Sequence, residues 1–125
     1  MGWTGTYEKW FQCPDLIAGL NPEVIVPGHG PLCGVSGVTE MKGYLQYLRD
    51  ESRKCFDAGL TSLDAATRIE FGPYGEWRAP ARLYMNVERA YREFRGDPPD
   101  APWDSPATFD AIYKVAKARG IEIEY

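Results

Sequence analysis

The residue best suited to chemistry is His29, the only histidine among 125 residues. It stands in Pro27-Gly28-His29-Gly30-Pro31, directly after Val24-Ile25-Val26. The β-branched run reads as a brief buried strand bounded by Pro22 and Pro27, and the prolines and glycines after it forbid regular structure. A strand thus delivers the imidazole into a tight loop whose glycines let a ligand approach the backbone. A neutral ring nitrogen held this way is a competent zinc donor. Two other donors lie near it in sequence, Cys33 four residues on and Asp15 in the preceding segment. Zinc takes about four donors, three of them from protein in a catalytic site, and neither pairing has a recognised ligand geometry. The structural alternatives are a lone histidine in a turn and a cysteine serving as a small buried hydrophobe.

No other catalytic set competes with this one. Without a second histidine, Ser–His or Cys–His nucleophilic chemistry could recruit only His29, with Cys33 the nearest thiol. Asp97 and Asp100 sit in the Pro-rich run Asp97-Pro98-Pro99-Asp100-Ala101-Pro102, where solvated carboxylates are expected. Gly28 and Gly30 open no nucleotide fingerprint. Tyr74, Trp77, Tyr84 and Tyr91 either line a groove or pack in the core. Cys13, Cys33 and Cys55 are odd in number and form no CxxC pair, which suggests free thiols rather than a disulfide framework or a thiolate zinc site.

Helices must carry most of this chain. Apolar residues recur at helical spacing from Tyr7 through Ala18, with a kink or restart expected at Pro14. The strongest stripe runs Val38, Met41, Leu45, Leu48, Ser52 and Cys55, stopped by Gly59. Ser62 is placed to cap a short helix through Ile69, a further helix spans Pro80 to Phe94 before Gly96, and Ser105-Pro106 opens a last one. In that last helix Phe109, Ile112, Tyr113 and Ala116 form the expected buried stripe, and Ile121 to Tyr125 alternates as a terminal strand would. The fold class is therefore mainly α with one or two short strands. Residues 1–96 form the main segment, and 97–125 form a Pro-rich connector plus terminal helix and strand.

Composition narrows the partners. A net charge of −4 argues against nucleic acid, because phosphate binding needs a basic surface. No apolar run approaches the roughly 20 residues that span a bilayer, and Met1-Gly2-Trp3-Thr4 has no signal-peptide character. A soluble, cytoplasmic protein without a membrane partner is expected.

The order of these elements is similar to a known family. Asn21 to Pro31, the long helix to Gly59, the Leu63-Asp64-Ala65-Ala66 turn and the stretch from Trp77 to Phe94 resemble the C-terminal portion of metallo-β-lactamase-fold metallohydrolases. The resemblance covers roughly residues 3 to 95 and implies the C-terminal part of an αββα fold, isolated here as a helical domain. It makes His29 the last metal ligand of such a site. The family's HxHxDH cluster, further histidine and bridging aspartate have no counterpart in this chain and would lie upstream. The implied function is a fragment of a metal-dependent hydrolase, inactive alone because most ligands are missing. Zinc is the parent family's metal, with none expected to bind this chain stoichiometrically. The alternative is a non-enzymatic interaction or dimerisation module derived from that fold, whose partner is a second copy or the missing N-terminal half. A third reading is a helical domain with an unrelated small-molecule pocket.

Overall fold

The computed structural model describes residues 4–122. Five α-helices succeed one another: α1 Tyr7–Gly19, α2 Val35–Asp57, α3 Ser62–Arg68, α4 Leu83–Arg95 and α5 Ser105–Arg119. Short 3-10 turns, Gly72–Tyr74 and Pro80–Arg82, punctuate the run between α3 and α4. The architecture is helical, and the β component among the described residues is one isolated antiparallel bridge between Ile25 and Cys33. Of the expected terminal strand, Ile121 and Glu122 are not in a strand, and the remaining residues lie outside the described range.

Helix starts are set by side-chain caps. Thr6 accepts the amide of Lys9, Thr61 that of Asp64, and Asp104 that of Ala107. Each oxygen satisfies one amide that the first turn leaves unpaired. In both α3 and α5 the cap is one residue earlier than the sequence suggests, because Thr61 and Asp104 outcompete their neighbours Ser62 and Ser105. Gly96 and Gly120 close α4 and α5 in the left-handed region, with φ of 78° and 64°.

Pro14 breaks nothing. α1 continues through it as a single helix, with the proline buried. Proline removes one amide donor from the ladder, and α1 offsets that loss by packing against α2 and by anchoring to α4. The anchor is Tyr7, fully buried: its amide donates to Glu93 Oε1 at 2.9 Å and its hydroxyl to the Asn86 carbonyl at 3.0 Å.

The main core joins Leu48 of α2, Ala65 and Ala66 of α3, Leu83, Val87 and Tyr91 of α4, and Ile112, Val115 and Ala116 of α5. A second cluster gathers Tyr7, Leu45 and Ala90, with Trp10, Phe11 and Phe94 against them. α5 turns a different face inward from the expected one. Thr108, Ala111, Ile112, Val115 and Ala116 are buried, whereas Phe109 and Tyr113 are 61% and 53% exposed. Small residues let the α5 backbone come close to its neighbours, and that close approach outweighs the apolar area the two aromatics would bury.

The Pro-rich connector between α4 and α5 is held along its length. Arg89 Nη1 donates to the Pro99 carbonyl, and Arg92 Nη1 donates to those of Ala101 and Pro102, each at 3.2 Å. Both guanidinium groups lie over the Trp103 ring, at 5.2 and 4.2 Å from its centroid. At the other end of α5, Arg119 donates to the carbonyls of Thr67 and Ile69 and stacks 4.1 Å from the Phe71 centroid. Arginine forks thus satisfy carbonyls that neither a helix nor a sheet would reach.

Two core tyrosines give the fold a pH dependence. Burial pushes the Tyr44 hydroxyl from 10.0 up to about 12, against a smaller opposing effect of the Asn86 amide. Burial does the same to Tyr91, from 10.0 to about 12. A hydroxyl that keeps its proton in the folded state contributes stability that is present below the unfolded value and lost as pH rises through the folded one. The urea midpoint should therefore drop between pH 10 and pH 12, and drop less in Tyr44→Phe. An identical pH profile for that variant would contradict the assignment.

Candidate functional site

The His29 loop is built on the end of α1. Leu20 caps that helix, Asn21 turns the chain with a left-handed φ of 49°, and Pro22 prevents helix from resuming. The strand expected at Val24-Ile25-Val26 contracts to one residue in a bridge. The Ile25 amide donates to the Cys33 carbonyl at 2.7 Å, and the Cys33 amide donates back to Ile25 at 3.1 Å. Pro22 and Pro27 confine the extended segment, so the ladder cannot lengthen. The bridge closes a seven-residue loop, 26–32, and His29 lies at its middle, exposed.

The glycines beside His29 leave space around it. A Cβ on Gly28 would meet nothing within 4 Å, and one on Gly30 only the Pro27 ring at 4.0 Å. Gly30 has φ of 106°, a conformation that side chains rarely adopt. The backbone here is thus both accessible and dependent on glycine. An imidazole on such a loop can offer either ring nitrogen to a ligand arriving from solvent.

The two other candidate ligands have different surroundings. Asp15 is engaged with α2: both its oxygens lie 2.7 Å from Lys42 Nζ. Cys33 sits half-buried at the foot of α2, where a Cβ on Gly37 would lie only 2.7 Å from its sulfur. The thiol therefore packs on the first turn of that helix, and Gly37 is the residue that makes room. Among the described residues no three His, Cys, Asp or Glu side chains converge as a metal's ligands would. One imidazole does not amount to a zinc site.

The three cysteines are free thiols, Cys13 exposed and Cys33 and Cys55 half-buried. Burial and the nearby Glu51 carboxylate push the Cys55 thiol up, which makes it a poor nucleophile. Asp97 pairs with Arg95 at 2.9 Å. A cavity of about 450 Å³ opens beside α1, with Glu8, Phe11, Asp15, Arg49 and Glu93 in its wall. Three of its charged groups have partners: Asp15 has Lys42, Glu93 has the Tyr7 amide, and Arg49 lies 5.8 Å from the Phe11 ring centroid.

The aromatic set expected to act together divides in two. Tyr91 packs edge-on against Phe56, with centroids 5.3 Å apart. Tyr74 and Trp77 instead meet Tyr44, a residue that reading along the chain does not associate with them. Tyr44 and Asn86 are legible in the sequence only as members of helical faces, because their partners lie far away along the chain.

No protein-family model, no curated protein and no solved structure matches this chain.

His29 is exposed and carries none of the core, so His29→Ala should shift folding stability by no more than about 0.5 kcal/mol. Gly30→Ala should cost about 1 kcal/mol or more, since alanine must adopt the same positive φ. Urea titration of both variants checks the contrast. Equal losses would mean that the loop does not hold its conformation through Gly30.

Proposed function

We propose that the chain is the helical, C-terminal part of a metallo-β-lactamase-fold hydrolase, with His29 as one ligand of a metal centre completed by other segments. The observation that carries the reading is the loop. A bridged, Pro-bounded segment presents a single exposed imidazole between two glycines with open space beside them. The order of that loop and the long helix α2 behind it agrees with the resemblance in sequence. Zinc is the metal the family would supply, and it would serve there to polarise bound water. This chain contributes one donor and the helices that hold it, so it is inactive by itself.

Reading the coding DNA immediately upstream tests the parentage. An in-frame His-x-His-x-Asp-His is the expected result, and a stop codon without that motif overturns the reading. For the chain itself, stoichiometric zinc together with ester turnover would overturn the claim that its site is incomplete.

A second reading, a free-standing interaction or dimerisation module, is favoured by a separate observation. Leu16, Leu20, Val24, Val26 and Leu32, all within one short stretch, are each 61% exposed or more. Apolar side chains gathered this way drive association when a partner can cover them. Sedimentation velocity across a wide concentration range should then show a dimer that Val26→Lys dissociates. A monomer at every concentration counts against this reading.

A further inference from the structure

The run between α3 and α4 folds back over α2 and encloses a slot that the His29 loop does not use. Tyr44, Tyr74 and Trp77 form its aromatic wall, with ring centroids 4.9 to 5.2 Å apart. Tyr44 and Trp77 meet at a tilt of 42°, while Tyr74 stands nearly edge-on to both. Asn86 closes the inner end, mostly buried, and its amide donates to the Tyr44 hydroxyl at 3.4 Å. Arg82, exposed, stands at the outer end, and no ion pair joins it to any described residue. The cavity is about 120 Å³ and partly open to solvent. That is less than the roughly 150 Å³ of an apolar cavity that encloses benzene, so a planar ring would enter the slot in part, with its polar substituent left at the mouth.

The slot has the composition of a small-ligand site. Its wall is mostly apolar and aromatic, with the buried Asn86 amide and the exposed guanidinium groups of Arg78 and Arg82 as its polar lining. Ala79, which lines it, has a left-handed φ of 52°. A residue with a Cβ is strained there, and Pro80 behind it cannot relax to take up the strain. The backbone is thus held in a costly conformation at the point where it borders the cavity.

We propose that this slot binds a small aromatic carboxylate. The ring would lie against Trp77 and Tyr44, and the carboxylate would reach the Arg82 guanidinium at the outer end. An aromatic wall suits every planar ring, so the charge supplies the selectivity. A guanidinium fork matches a carboxylate in both charge and geometry. No residue of the His29 loop enters the slot, so binding there is independent of the hydrolase reading.

Benzoate is the probe, followed through the Trp77 indole N–H in ¹H–¹⁵N spectra of the full chain. The expected result is a saturable shift of that signal, with a dissociation constant in the millimolar range or tighter. Arg82→Gln should weaken binding about tenfold without altering the far-UV circular dichroism, the change expected for one lost charge-assisted contact. Benzyl alcohol, which keeps the ring and lacks the charge, should bind the unmodified chain about tenfold more weakly than benzoate. No saturable shift at Trp77 overturns the proposal. So does equal binding of the two ligands, a comparison that needs no variant and stands even if Arg82→Gln misfolds.

Discussion

α4 is the helix that every other element is built around, and its burial sets the terms for the rest of the chain. Leu83, Asn86, Val87, Arg89, Ala90 and Tyr91 are all buried and only Arg95 is exposed, so the apolar stripe of the helix is covered together with the polar residues beside it. α2 and α3 pack on it, α5 covers another flank, and α1 is bonded to it through Tyr7. A helix enclosed this far must bring polar groups inside with it. Burying such groups without partners costs more than the apolar contacts nearby return. The positions of Tyr7, the connector and Trp103 follow from that requirement.

Arg89 shows how the requirement is met. It is only 1% exposed, and burial lowers its tendency to stay charged, an effect to which the neighbouring Arg92 adds. The chain answers with carbonyls and a ring rather than with a carboxylate alone. The connector runs past α4 so that Arg89 reaches the Pro99 carbonyl, and Trp103 lies beneath both guanidinium groups. Pro98, Pro99 and Pro102 make this segment stiff, so little conformational entropy is lost in holding it there. The same segment leads directly into the Asp104 cap, which fixes where α5 begins. One buried cation thereby constrains the path of the chain from the end of α4 to the start of α5.

The parts of this fold that depend on local chemistry can be read from the chain, and the parts that depend on distant contacts cannot. Gly59, Gly96 and Gly120 mark helix ends as expected, and the α2 stripe through Val38, Leu45, Leu48 and Ser52 is buried as its spacing implies. The phase of α5 differs from the expected one because Phe109 and Tyr113 outweigh Ala111 and Val115 in hydrophobicity, while close packing favours the smaller set. Pro14 suggests a break because its cost is local and its compensation, the Tyr7 anchor, comes from residues some eighty positions away. The His29 loop is legible, since prolines and glycines act where they stand. The slot is not, because Tyr44 and Asn86 belong to two helices that only the folded chain brings to Tyr74 and Trp77.

This contrast bears on where the molecule can carry function. The His29 loop adds nothing to the core, and its one bridge leaves most of its backbone free to meet a ligand. Loops of that kind can change their chemistry without endangering the scaffold. The aromatic slot is the opposite case. Tyr44 belongs to the packing between α2 and α4, and its hydroxyl, together with Asn86, lies in the interior. A ligand there would add contacts to the same groups that hold α2 to α4, so its binding would be coupled to the stability of the whole chain. A ligand at His29 would meet a loop that the core does not depend on, and its effect on stability would be small. The two regions are therefore distinct in energetic terms as well as in position: one is mounted on the fold, and the other is part of it.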